Sequence, residues 1–143
     1  LNGPANHRRK PNENLARELL ELFSLGEGYF SEADVKEAAR ALTGYRLQEN
    51  GQMALVPRRH DPGPHTVLGR TQAFDASSLA AFLADQPATA RHVAGRVWRR
   101  CIGTEPPAAR LQALAQAWRE EDLSLPWLRE CLATAPESPQ RRR

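Results

Sequence analysis

Apolar residues return along this chain at helical intervals for most of its length. Leu15, Leu19, Leu22 and Phe23 recur at i, i+4, i+7 and i+8, which predicts a helix from Asn12 to Leu25 with that stripe buried and Gly26 as its stop. Val35, Ala38, Ala39 and Leu42 mark the inner face of a second helix. Ser31 is its N-cap, Asp34 stands at the capping-box position and Gly44 ends it. Asp75 predicts the cap of a third, with Leu79, Phe82 and Leu83 inward. A fourth runs from Ala88 to Cys101 with Val93, Val97, Trp98 and Cys101 on one side, and a fifth from Ala108 to Glu121 with Leu111, Leu114, Ala115 and Trp118 facing in. A short last helix follows Ser124, carries Pro126 in its first turn and buries Leu128, Cys131 and Leu132.

Between Tyr45 and Thr71 the period breaks. MALVP and HTVLG are short apolar runs separated by RRHDPGP, whose prolines and glycine forbid a regular element. They read as two short strands, or extended segments, around a turn-rich loop that must lean on the helices. The fold class is therefore mainly α: a multi-helical orthogonal bundle of about six helices with a short β-hairpin or extended-loop insertion. Residues 1–11 read as an irregular lead-in, 12–136 as a single helical domain and 137–143 as a disordered basic tail.

Composition narrows the function classes. With 143 residues, 41% hydrophobic and 26% charged, the chain fits ordinary globular usage, and no run of about 18 apolar residues exists to cross a bilayer. It starts at Leu1 and its first ten residues lack the apolar centre of a signal peptide, so it reads as a piece of a longer protein. The net charge of +3 is local, because without Arg141, Arg142 and Arg143 the basic and acidic residues balance at 17 each. That argues against nucleic acid, whose binding needs a sustained basic field. Cys101 and Cys131 read as buried free thiols, and two cysteines with no CxxC exclude a Cys-rich zinc finger.

Candidate chemistry concentrates in two stretches. In PNENLARELLELF, Asn12 is the N-cap and Glu13 meets the positive end of the helix dipole, while Glu13, Arg17 and Glu21 form an i, i+4 ion ladder. Asn14 and Glu18 make a second polar pair that calls for partners from another segment. The expected supplier is RRHDPGPHTVLGR, where His60, Asp61 and His65 fall within six positions. Two imidazoles and a carboxylate could hold a divalent metal or act as a base with its orienting acid. The structural alternative has Asp61 capping the Pro-Gly turn and His60 bonded to a nearby helix. No nucleophile elbow, phosphate-cradling glycine loop or Cys-His pair is present, and Trp98, Trp118 and Trp127 sit at core spacing.

The run PNENLARELLELFSLGEGYFSEADVKEAARALTGY followed by RRHDPGPHTVLGR resembles the bacterial family catalogued as domain of unknown function 1800, with the match extending from about Asn6 to Pro136. Where members often carry a lysine after Gly-Pro, this chain has His65. The resemblance implies a larger, predominantly helical and exported or periplasmic parent, of which this chain is the C-terminal part. Its partners would be the missing N-terminal region and a co-encoded sulfatase-like protein, with self-association through any uncovered apolar surface. It implies no established activity, and it points to Asn12, Glu13, Asn14, Arg17, Glu18, Glu37, Arg40, His60 and Asp61. Two readings follow. One is a binding or assembly module in which Asn12, Glu13, Asn14, Arg17, Glu37 and Arg40 form a structural cluster. The other is part of a metal-dependent hydrolase in which Glu18, His60 and Asp61 supply half of a site.

Overall fold

The computed structural model describes residues 6–136, which fold as two compact units, one ending at Leu83 and the other beginning at Ala84. Among the described residues six α-helices and two short antiparallel hairpins form a mainly α architecture, as the pattern predicts. The tail expected over 137–143 and the first five residues of the lead-in lie outside the described residues.

In the first unit, α1 (Glu13–Glu18) starts at Asn12, whose Oδ1 accepts the Leu15 N–H at 3.0 Å. It continues into one wide π-helical turn, Leu19–Phe23. Ser24 Oγ donates to the Leu19 carbonyl at 2.7 Å and the Gly26 N–H to the Leu20 carbonyl at 3.1 Å, which closes the helix end. Helix α2 (Glu32–Ala41) opens on the complete capping box that the sequence predicts. Arg17 reaches out of its own helix and grips Glu32 through both carboxylate oxygens, at 2.6 and 2.7 Å, rather than bonding along the expected ladder.

The inner face expected for the first helix is corrected. Ala16 and Leu20 are fully buried, whereas Leu22 and Phe23 are 48% and 62% exposed and Leu15 and Leu19 only half-buried. The cause is packing: α1 lies on α2, whose buried face is Val35, Ala38, Ala39 and Ala41, and alanines let the two backbones approach closely. The Ala16 and Leu20 row fills that seam, so the larger row beside it stays outside.

The β insertion is two hairpins rather than one. Strand β1 (Tyr45–Leu47) pairs with β2 (Met53–Leu55), and β3 (His65–Val67) with β4 (Arg70–Gln72). MALVP and HTVLG each pair with a neighbour a few residues away, the shorter loop to close. The second turn consists of Leu68 and Gly69, both at positive φ (49° and 76°), the sense that matches strand twist. A left-handed leucine costs about 1 kcal/mol, and Asp34 holds it there by accepting the Leu68 N–H at 2.7 Å. Helix α3 (Ala76–Ala84) follows, with Asp75 accepting the Ser78 N–H at 2.7 Å and the Tyr45 hydroxyl accepting the Ala76 N–H at 2.9 Å.

The second unit contains α4 (Pro87–Ile102), α5 (Ala108–Glu120) and α6 (Leu125–Thr134). Ala94, Trp98, Leu114, Trp118, Leu128 and Leu132 belong to its single buried core. Ser124 caps α6 through its side chain and accepts Trp118 Nε1–H on its carbonyl at 2.8 Å. Cys101 is exposed, contrary to the expected inner face, because α4 buries the i+4 row Ala90, Ala94, Trp98 and Ile102. Cys131 is half-buried, and both thiols are free.

Leu20→Ala is expected to cost about 2–5 kcal/mol, whereas Phe23→Ala should change stability by less than about 0.5 kcal/mol. Urea unfolding followed by circular dichroism reads the difference, and equal costs would return the Leu15, Leu19 and Phe23 row to the core.

Candidate functional site

Three acidic or basic positions on one face of α2, Asp34, Glu37 and Arg40, follow at i, i+3 and i+6 and receive the segment from Asp61 to Leu68. Asp34 takes the Leu68 N–H, and Glu37 Oε2 takes the Thr66 N–H at 2.8 Å. Arg40 then spans two carboxylates, Nη1 donating to Glu37 and Nε to Asp61, each at 2.8 Å. Asp61 Oδ1 accepts the Gly63 N–H at 3.0 Å, so Asp61 caps the Pro-Gly turn as the structural alternative expects.

A second set of bonds fixes the start of the loop. Thr43, fully buried at the end of α2, donates its hydroxyl to the Arg40 carbonyl at 2.6 Å and accepts the Asp61 N–H at 2.9 Å. Its own carbonyl accepts from His60 Nδ1 at 2.9 Å, which sets the proton on Nδ1 because a carbonyl can only accept. Gly44, at φ +86°, passes so close to this loop that a Cβ there would lie 2.7 Å from the His60 amide nitrogen. Only glycine meets both requirements.

His65 is fully buried. Its Nδ1 accepts the Phe74 N–H at 3.2 Å, so the neutral ring carries its proton on Nε2, which has no hydrogen-bond partner and stands 3.9 Å from Asp61 Oδ1. Burial, and then Arg40, push its pKa below the ordinary 6.5. The hydrogen bond from Arg40 holds Asp61 below the usual carboxylate range. At Asp34 and Glu37 burial pushes upward, but the backbone N–H groups of Ser31 and Leu68 at the first, and the Thr66 N–H with Arg40 at the second, outweigh it and keep both low.

The expected residues thus divide. Glu37, Arg40, Asp61 and His65 meet, and His60 joins them through Thr43. Asn14 and Glu18 do not reach that loop for their bond; Asn14 Nδ2 donates to Glu18 Oε1 at 3.1 Å and the pair serves itself. Asn12 and Glu13 stay at the N-terminus of α1, and Arg17 goes to Glu32. Among the described residues no group of three or more His, Cys, Asp or Glu side chains is placed to hold a metal ion. Asp34 and Thr43 belong to the network although sequence reading did not single them out as site residues. Asp34 was legible only as a cap, and Thr43 carried no signal beyond its place beside Gly44.

Beside α1 lies a cavity of about 630 Å³ with an almost wholly apolar lining. Leu15, Leu19 and Phe23 supply one wall, and Tyr45, Leu47 and Met53 from the first hairpin another. Ala76 and Ala80 of α3 complete it, and Asn6, Asn12 and Glu18 are its polar members. Its size and lining are those of a ligand or side-chain receptor. Leu47 and Met53 share a hairpin face with Tyr45 and Leu55, and at 67% and 46% exposed they form an open apolar rim.

Asp61→Ala should cost about 1–3 kcal/mol, and a cycle with Arg40→Ala should give a coupling of about 1 kcal/mol. Additive losses would show that the pair contributes nothing jointly. Acid should weaken the fold in two stages. The depressed pKa of His65 means that the unfolded chain takes up its proton first, so stability falls as pH drops below 6.5. The depressed carboxylates add a further loss below their ordinary values of 4.5 for Glu37 and 3.8 for Asp34 and Asp61. Urea titrations across pH check this, with His65→Gln expected to remove the upper stage.

A family model described as Protein of unknown function (DUF1800) matches residues 1–143. No curated protein and no solved structure matches the chain.

Proposed function

The chain belongs to the DUF1800 family, and from that premise we propose that it is a binding module whose N-terminal unit presents an apolar groove to a partner. The observation that carries this reading is the row of Leu15, Leu19 and Phe23, a helical stripe of core character that lines an apolar cavity, half-buried at the two leucines and open at Phe23. Burying such a row against a partner recovers roughly 25 cal/mol for each Å² of apolar surface removed from water. The neighbouring row of Ala16 and Leu20 already serves the core, so the exposed one is not needed to hold the helix in place.

The polar network supports the same reading. An enzyme site built on Glu18, His60 and Asp61 would hold the three around one open point. Here Asp61 is engaged by Arg40 and the Gly63 N–H, His60 by the Thr43 carbonyl, and Glu18 by Asn14. Groups satisfied by one another and by backbone act as a clasp that fixes the loop on α2 and, through Gly44 and Tyr45, the hairpin wall of the groove. The exported setting and the assembly partners implied by the family resemblance belong to this proposal.

Titration with the apolar dye 1-anilinonaphthalene-8-sulfonate tests the groove. Saturable binding to the folded chain, lost in Phe23→Lys and in Leu19→Lys while melting is unchanged, is the expected result. Undiminished binding in both variants would sink the proposal.

A further inference from the structure

The lead-in carries a feature that the residue order alone does not disclose. His7 to Lys10 form a tight turn, closed by the Lys10 N–H on the His7 carbonyl at 2.7 Å, and the Arg8 N–H donates to the Arg59 carbonyl at 2.7 Å. That bond brings HRRK beside the 3₁₀ turn Pro57–Arg59, so Arg8, Arg9, Lys10, Arg58 and Arg59 gather from two distant stretches. Neither His7–Asn12 nor Val56–His60 contains an acid. None of the five cations forms an ion pair among the described residues. Four of them are exposed, and the fifth, Arg59, keeps a buried Nη1 with no hydrogen-bond partner.

This patch borders the groove. The turn lies in the chain between Asn6 and Asn12, both of which line the cavity. Asn6 is 5% exposed, donates its amide to the Leu42 carbonyl at 2.8 Å, and leaves its own buried Oδ1 without a partner. At the other end Glu18 stands six residues beyond Asn12, about 9 Å along a helix at 1.5 Å per residue. The groove is therefore apolar along its length, with five cations against the single acid Glu13 at the Asn12 end and Glu18 in its lining at the other.

We infer that its occupant is an amphipathic protein segment, apolar along one face and acidic at the end that meets the turn of Arg8, Arg9 and Lys10. This rests on the binding role proposed above and specifies its partner. A concave apolar wall accepts inserted side chains, the helix-in-groove mode, and unpaired arginines beside it offer forks to carboxylates. Glu18 in the lining opposes an anionic lipid surface, and an apolar lining gives nucleic acid no phosphate track. The polarity of the groove also orients the segment, with its acids away from Glu18.

The test is a selection from a random peptide library displayed on phage, using the immobilised full chain. Selected peptides are then synthesised and measured by fluorescence anisotropy against the wild type, Phe23→Lys and the double variant Arg8→Glu, Arg9→Glu. The expected peptides carry apolar residues at helical spacing with Asp or Glu clustered at one end, and they lose binding in Phe23→Lys. In the double variant their association should slow by about tenfold at low salt, with a weaker salt dependence. Peptides without acids that bind both charge states equally would overturn the acidic partner and leave the groove itself standing. Failure to select any peptide that Phe23→Lys abolishes would overturn the proposal. So would binding to phosphatidylserine vesicles that is lost in the double variant, or concentration-dependent dimerisation that buries Phe23.

Discussion

Everything in the first unit turns on where the polar face of α2 sends its hydrogen bonds. A helix can satisfy Glu37 and Arg40 against each other at i, i+3, and many surface helices stop there. Here Arg40 also reaches Asp61, and the acids reach backbone N–H groups of β3 and its turn. The interaction thereby changes from a local pair to a tie between segments about 20–30 residues apart in the chain. The segment it ties is rich in proline and glycine and has little apolar surface of its own, so side-chain bonds take over the task that packing performs elsewhere. The left-handed Leu68, the close pass of Gly44 and the buried His65 all depend on that tie.

The two units are held by different means. In the second, three helices bury a row of large side chains, two tryptophans among them, and the helix ends close on short local caps. In the first, alanines make up much of the α1 and α2 seam, and specificity comes from Arg17 with Glu32 and from the Arg40 network. A thin seam leaves large residues over, and those residues form the groove.

The sequence was most legible where the physics is local. Ser31 with Asp34, Asp75, and Ser124 with Pro126 opened their helices as read, because an N-cap needs only the next three residues to be recognised. The period of the helices was legible too, but which row faces inward was not. In α1 both rows are apolar, and the choice between Ala16 with Leu20 and Leu15 with Leu19 is made by how closely α2 approaches. The hairpins were half legible: MALVP and HTVLG read as extended, while their partners Tyr45–Leu47 and Arg70–Gln72 are too polar or too short to announce themselves. Of the candidate site, the resemblance and the loop composition both pointed to His60 and Asp61, the resemblance alone to Glu37 and Arg40, and the loop composition alone to His65. That Glu18 would stand on a different surface could not be read from an i, i+4 spacing with Asn14.

A three-residue strand with one free edge is an invitation to any extended segment that drifts past, since its unpaired N–H groups can continue a sheet into a neighbouring molecule. On β3 that edge is closed by two carboxylates, Glu37 on Thr66 and Asp34 on the turn residue Leu68. A carboxylate accepts hydrogen bonds but offers no donor of its own, so the ladder ends there and cannot be copied onward. The same two acids that seat the loop on its helix thus also take up the N–H groups through which this edge of β3 could have extended its ladder into a neighbour.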